Sequence, residues 1–183
     1  MSLADRCFVV LMFVVTGTVA WVGTLAYREG QRTEAAKANG EYLVSWLEVA
    51  GRRRHGNAFE PMACAGELDS RTPQESTVAS NATGGGRWDA CWWQLTAPGG
   101  PLAGLSDPFD GGALKLAVTC DHKQSRLPGA IVIERLVGTP PGSALPYVVV
   151  PLAPGDSIAE EIKLRVTICD KGGYPIVIGE AGF

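Results

Sequence analysis

The run from Cys7 to Tyr27, CFVVLMFVVTGTVAWVGTLAY, has no charged side chain. As a helix rising about 1.5 Å per residue it would extend about 30 Å, the thickness of a bilayer's hydrocarbon core. Thr16, Thr18 and Thr24 interrupt the apolar pattern, but in a helix their hydroxyls can bond back to the helix's own carbonyls. The run exceeds the usual length of a signal-peptide core, and no small-x-small cleavage pattern follows it before Arg28, so a membrane-spanning helix is expected over a cleaved signal. Gly17 and Gly23 are spaced too far apart for the GxxxG packing motif.

About 155 residues follow this anchor, enough for one domain with its own core. With 46% hydrophobic residues, 23 glycines and 12 prolines the chain reads as ordered and turn-rich. A net charge of -3 and a pI near 5.4 supply no basic field for nucleic acid.

Cys7 lies at the edge of the apolar run, whereas Cys64, Cys91, Cys120 and Cys169 are spread through the rest. Zinc sites use clustered pairs such as C-x-x-C, so four dispersed cysteines in an anchored domain predict two disulfides and an oxidising compartment. Three pairings are open. The flanking charges point the other way: Arg6 on the short side against Arg28, Arg32 and Lys37 beyond the run would place the domain in the cytoplasm by the positive-inside rule. Glu29, Glu34 and Glu41 offset those cations, and long domains translocate largely regardless of flanking charge. The cysteines therefore decide for a head outside the cytoplasm.

From Arg28 to Ala50, Ala35, Ala38, Tyr42, Trp46 and Ala50, with Leu43 and Leu47, recur at helical steps opposite Arg32, Lys37, Glu41 and Glu48. This predicts that the membrane helix (1–27) continues as an amphipathic rod (28–54). Gly30 and Gly40 argue against a perfectly straight rod, and Gly51 before Arg52, Arg53 and Arg54 marks an expected C-terminus with cations on the negative end of the dipole. The three arginines read as a solvated helix end, with a docking patch for an acidic partner as the alternative.

The head, 55–183, opens with a long irregular connection to about Gly112, rich in Gly, Pro, Ser and Thr, with Thr77–Trp88 as an exposed loop. Cys64 and Cys91 are placed to staple it. Asn81-Ala82-Thr83 matches a glycosylation sequon. Trp88, Trp92 and Trp93 are expected to cover the helix stripe; a sugar-stacking platform is the alternative. The C-terminal third reads as five short strands, Leu114–Cys120, Ala130–Glu134, Tyr147–Val150, Ile162–Ile168 and Ile176–Ile178, separated by turn residues. Ile162, Leu164, Val166 and Ile168 alternate with Lys163, Arg165 and Thr167, predicting one buried and one wet face. No crossover helix fits between the strands, so the sheet should be largely antiparallel. The class is therefore α+β, a long N-terminal helix followed by a disulfide-stapled antiparallel sheet.

LAVTCDHK then AIVIE echoes LRVTICDK then PIVIGE. Two related hairpins would bring Cys120 and Cys169 to equivalent strand ends, making Cys120–Cys169 with Cys64–Cys91 the leading pairing; the extra Ile168 shifts the alternation by one and leaves a bulge or a different pairing open. Catalytic motifs are lacking: only His55 and His122 occur, without G-x-S-x-G or H-E-x-x-H, and Gly84-Gly85-Gly86 is not flanked as a phosphate loop. Asp121, His122 and Asp170 read as strand-terminating turn residues, with a metal cluster as the alternative. No enzyme, cofactor or metal is expected.

This order of parts resembles the type IV pilins, in particular the type IVb form: Met1-Ser-Leu-Ala-Asp5 before an apolar run, a spine helix, a long connection, an antiparallel sheet and late cysteines. Leu105-Ser-Asp-Pro-Phe109 is similar to a loop-to-sheet segment of that family, and Cys120 with Cys169 would bracket its disulfide-bounded region. Arg6 after Asp5, and the pair of cysteines beyond the family's two, depart from the pattern. The resemblance implies a processed terminus at Met1, inner-membrane residence before assembly and then an extracellular homopolymeric filament. Phe8, Leu11, Val15 and Trp21 would pack the filament core, and Asp5 would neutralise a neighbouring subunit's N-terminal amine. The alternative for Asp5 is a helix cap or an interfacial charge. Thr72, Asn81 and Gly85 mark the loop expected to meet partners. The competing function is a single-pass accessory subunit or periplasmic binding module of an envelope complex, which needs neither the acidic fifth residue nor processing; a carbohydrate-binding head on Trp88, Trp92 and Trp93 is a third.

Overall fold

The computed structural model describes residues 3–54, 64, 86–124, 126–158 and 160–183. Helix α1 runs Leu3–Arg54, 52 residues and about 78 Å long. Five strands form one sheet: β1 (Leu116–Ala117), β2 (Ile131–Gly138), β3 (Tyr147–Pro151), β4 (Lys163–Cys169) and β5 (Pro175–Gly182). β2 pairs with β4 along one edge, while its other edge is shared by β1 and β3; β5 completes the order beyond β4. The layout is α+β, as expected, with a second helix α2 (Trp88–Thr96) inserted before the sheet.

Each predicted strand is present, but the first shrinks to two residues and pairs parallel to β2, Leu116 with Ile131 and Ala117 with Val132. The other pairings are antiparallel. The internal echo is therefore not one of equivalent hairpins, because β4 and β5 form a hairpin and β1 and β2 do not. The bulge falls on β5, where Val166 pairs with Gly179 and Thr167 with Val177, leaving Ile178 over.

The second half of α1 lies on the inner face of β4 and β5, and this contact fixes which side of the helix is apolar in practice. Ala36, Gly40, Leu43, Leu47, Ala50 and Gly51 are buried, whereas Ala35, Ala38 and Tyr42 of the expected stripe are exposed. Small residues let the helix sink onto the sheet: a Cβ on Gly40 would meet Ile178 at 2.9 Å, and one on Gly51 would meet the Gly182 carbonyl at 2.1 Å. Gly51 is thus packed against the head within the last turn of α1, which runs to Arg54, the bound expected.

Leu43, Leu47, Trp88, Leu95, Ile133, Leu164, Val166, Ile168 and Phe183 join one core between α1, α2 and the sheet. The alternation of β4 holds on this face, with Leu164, Val166 and Ile168 buried. The opposite face is not wholly wet. Ala130, Val132 and Cys169 form a second cluster there with Ala117, Cys120 and Leu127, and Thr167, paired with Val132, is buried too. The two disulfides are Cys64–Cys91 and Cys120–Cys169, the leading pairing.

α2 lies within the connection read as irregular. Trp88, Cys91 and Leu95 form its buried stripe at helical spacing. Its Arg87 N-cap supplies no side-chain bond. The loop before β4 does so instead, with Trp88 N–H donating to Asp156 O and Asp89 N–H to Pro154 O. The tryptophans accordingly divide. Trp88 is fully buried and Trp92 packs against the same core, but Trp93 is exposed, so the three share no stacking platform.

Candidate assembly surface

The N-terminal half of α1 stands clear of the head. Asp5 to Arg28 are exposed on every side, and the helix is long and apolar enough to cross a membrane. Its threonines are satisfied internally: Thr16 Oγ1 donates to Met12 O at 2.7 Å, Thr18 to Val15 O at 2.8 Å and Thr24 to Trp21 O at 2.8 Å. A helix that is apolar all round requires an apolar surrounding, either lipid or other helices. Phe8, Val9, Met12, Phe13 and Thr16 border a shallow notch on it.

Asp5, Phe8, Leu11 and Val15 follow one another along a single face by helical spacing, and Trp21 lies about 140° around from Phe8. All five are exposed, Phe8 at 63% and Trp21 at 68%. Thr72, Asn81 and Gly85 lie outside the described residues, as do the sequon and His55.

The end of the head nearest the apolar half is built from two turns. Cys120 precedes the turn at Asp121–Gln124, Cys169 precedes the β4–β5 turn at Asp170–Tyr174, and their disulfide ties the two together. Asp121 Oδ1 accepts Lys123 N–H and Asp170 Oδ1 accepts Tyr174 N–H, so these carboxylates terminate turns. Gly173, at φ +76°, is pressed so closely on His122 that a Cβ would lie 2.6 Å from its Cα. The His122 and Tyr174 rings lie near-parallel, centroids 6.0 Å apart. Lys171 pairs with Glu29 of α1, which fixes this end of the head two residues beyond Tyr27.

Leu105 to Phe109 brace the head against the spine. Asn39 Nδ2 donates to Ser106 O at 2.9 Å. Asp107 is fully buried, its Oδ1 accepting Phe109 N–H at 2.8 Å and its Oδ2 lying 2.9 Å from Lys115 Nζ. Lys115 also pairs with Asp110. Hydrogen bonds from Lys115 and then from Gly112 N–H hold Asp110 below the usual carboxylate range, and the same carboxylates hold Lys115 above its ordinary value. Gly129, at φ +79°, leaves room for Asp107, since a Cβ there would lie 2.5 Å from Oδ1.

On the outer sheet face Arg165 donates to Glu180 at 3.1 Å and to the Tyr147 hydroxyl at 3.3 Å. The bond to Glu180 keeps the guanidinium more firmly charged. Among the described residues no group of three His, Cys, Asp or Glu is close enough to hold a metal. Sequence reasoning missed the Asp107–Lys115 knot and the Gly51 contact; a charged residue inside LSDPF was the available signal for the first.

No protein-family model, curated protein or solved structure matches this chain.

Proposed function

We propose that the chain is the structural subunit of a type IV pilus-like filament, held in the inner membrane by α1 before assembly and extruded as a homopolymer. One observation carries this reading: a single continuous helix is half buried as the spine of a β-rich head and half projecting, apolar on every side. Packing the projecting halves together would bury in a filament core the surface that lipid covers beforehand. The heads would then form the outer surface, and the two disulfides suit a head outside the cytoplasm. The subunit is read as a scaffold and not an enzyme, with copies of itself as the partner and no nucleic-acid site.

The second reading is a single-pass accessory subunit of an envelope complex, and it rests on the same membrane-length helix. Intact-mass and N-terminal analysis of sheared cell-surface material, set beside membrane extract, separates the two. A processed amine in sheared filaments is expected. Recovery only from detergent-solubilised membrane, with an unprocessed start and stoichiometric companions, would select the accessory subunit.

A further inference from the structure

The two disulfide-tied turns at the lower end of the head have a position and a charge that differ from those of the rest of the molecule. Lys171 holds them against Glu29, and Glu29 stands about 3 Å along the axis from Tyr27, the last residue of the uncharged run. If that run spans a bilayer, these turns are level with the headgroups. Tyr27 and Tyr174 are both exposed there, at 69% and 61%, and amphipathic rings of this kind partition to membrane interfaces. Residues 28–37, 121–126 and 170–174 carry six Lys or Arg against four Asp or Glu, although the whole chain is net -3. Glu29 and Glu34 are engaged by Lys171 and Lys37, while Asp121 and Asp170 accept turn amides. Arg28, Arg32, Lys123 and Arg126 are exposed and make no ion pair among the described residues.

We infer that the turn Asp121–Gln124 with Arg126, and the turn Asp170–Tyr174, together with Arg28 and Arg32, form a foot that rests on anionic phospholipid headgroups while the subunit resides in the membrane. Cationic side chains within a Debye length of an anionic leaflet are drawn to it. The Cys120–Cys169 bond and the Gly173–His122 contact make the foot rigid, so that the head is held at a set height above the bilayer. The inference rests on the membrane residence of residues 7–27 and does not depend on filament formation.

Hydrogen exchange on the full chain in lipid nanodiscs tests it. In discs containing phosphatidylglycerol, amides of 120–127 and 169–176 should exchange roughly threefold or more slowly than in pure phosphatidylcholine discs, with β3 unchanged as an internal reference. Lys123→Glu with Arg126→Glu, both exposed positions, should remove the difference, as should high salt. Equal rates in the two lipids, or slowing that survives the double substitution, overturn the foot. Loss of protection in residues 8–27 within the disc would remove the membrane reading itself, so the two failures are distinguishable.

Discussion

A Cβ on Gly51 would lie 2.1 Å from the carbonyl oxygen of Gly182 and 2.9 Å from Phe183 Cα, so the spine helix and the last strand meet backbone to backbone. Backbone on both sides leaves no flexible side chain to give way. Gly51→Ala should therefore destabilise the head by about 1–3 kcal/mol, the usual cost of overpacking, outweighing the gain of about 1 kcal/mol in helix propensity. Gly30 has nothing within 4 Å, and Gly30→Ala should be neutral or stabilising by up to about 1 kcal/mol. Thermal unfolding followed by circular dichroism would show a lower midpoint for the first variant only; a Gly51→Ala protein melting with the parent would refute the close contact.

Lys115 bridges a buried carboxylate and an exposed one, and this sets a pH dependence. Asp110 titrates below its ordinary 3.8 in the folded protein, so its contribution is present above that value and fades as pH falls through the lowered one. Lys115 is shifted upward from 10.5, so its contribution is complete below 10.5 and is lost only as pH rises through the raised value. Lys115→Met should cost about 1–3 kcal/mol near neutrality. That is less than the about 3–5 kcal/mol of a fully buried pair, because the Lys115 side chain is 35% exposed. The same variant should lose less further stability than the parent between about pH 5 and pH 2. Melting curves across that range decide it; parallel curves for the two proteins would mean that the knot does not act through charge.

The tryptophans separate packing from recognition. Trp88 is 0% exposed and Trp93 is 71% exposed. Trp88→Ala should cost about 3–5 kcal/mol as a core truncation, whereas Trp93→Ala should stay within about 0.5 kcal/mol as a surface change. Denaturant unfolding of both variants is the measurement. A large loss for Trp93→Ala would mean that its ring is covered by something in solution.

Much of this architecture was legible in the sequence because its signals were strong and local: an uncharged run of membrane length, β-branched strands bounded by turn residues, and four dispersed cysteines; the pairing of Cys120 with Cys169 holds although the equivalent hairpins that suggested it do not form. What escaped depended on partners distant in the chain. The phase of the spine stripe was misread because Ala35, Ala38 and Tyr42 look apolar yet face outward, while the true contacts include Gly40 and Gly51, which carry no hydrophobic signal. α2 was hidden by its glycine-rich surroundings and by an N-cap supplied from the loop at Pro154–Asp156. Thr167 looked wet because the cluster it adjoins through Val132 is assembled from Ala117, Cys120, Leu127 and Ala130, residues distant from it in the chain. Phe8, Leu11 and Val15 share one side of α1 by helical spacing alone, but residues 5–28 are exposed all round, so burial singles out no face of this half.

Asp5 is where filament and anchor make different demands. It lies in the first turn of α1, where the positive end of the helix dipole already favours a carboxylate. That local role needs no second subunit, and it would survive in a simple membrane anchor. In a packed bundle of apolar helices the same charge would be costly unless an opposite charge met it, and a neighbour's N-terminal amine is the cation that a helical stagger would supply. Asp5→Ala should therefore leave membrane insertion and head folding intact, since the residue is exposed and far from the core, while sheared filaments fall below detection. Asp5→Glu should restore them in part, because the charge is kept and its reach lengthened by one methylene. Quantifying the subunit in sheared and membrane fractions reads both variants at once. Filaments at parental yield from Asp5→Ala would leave the helix as an anchor alone and shift the weight to the accessory-subunit reading.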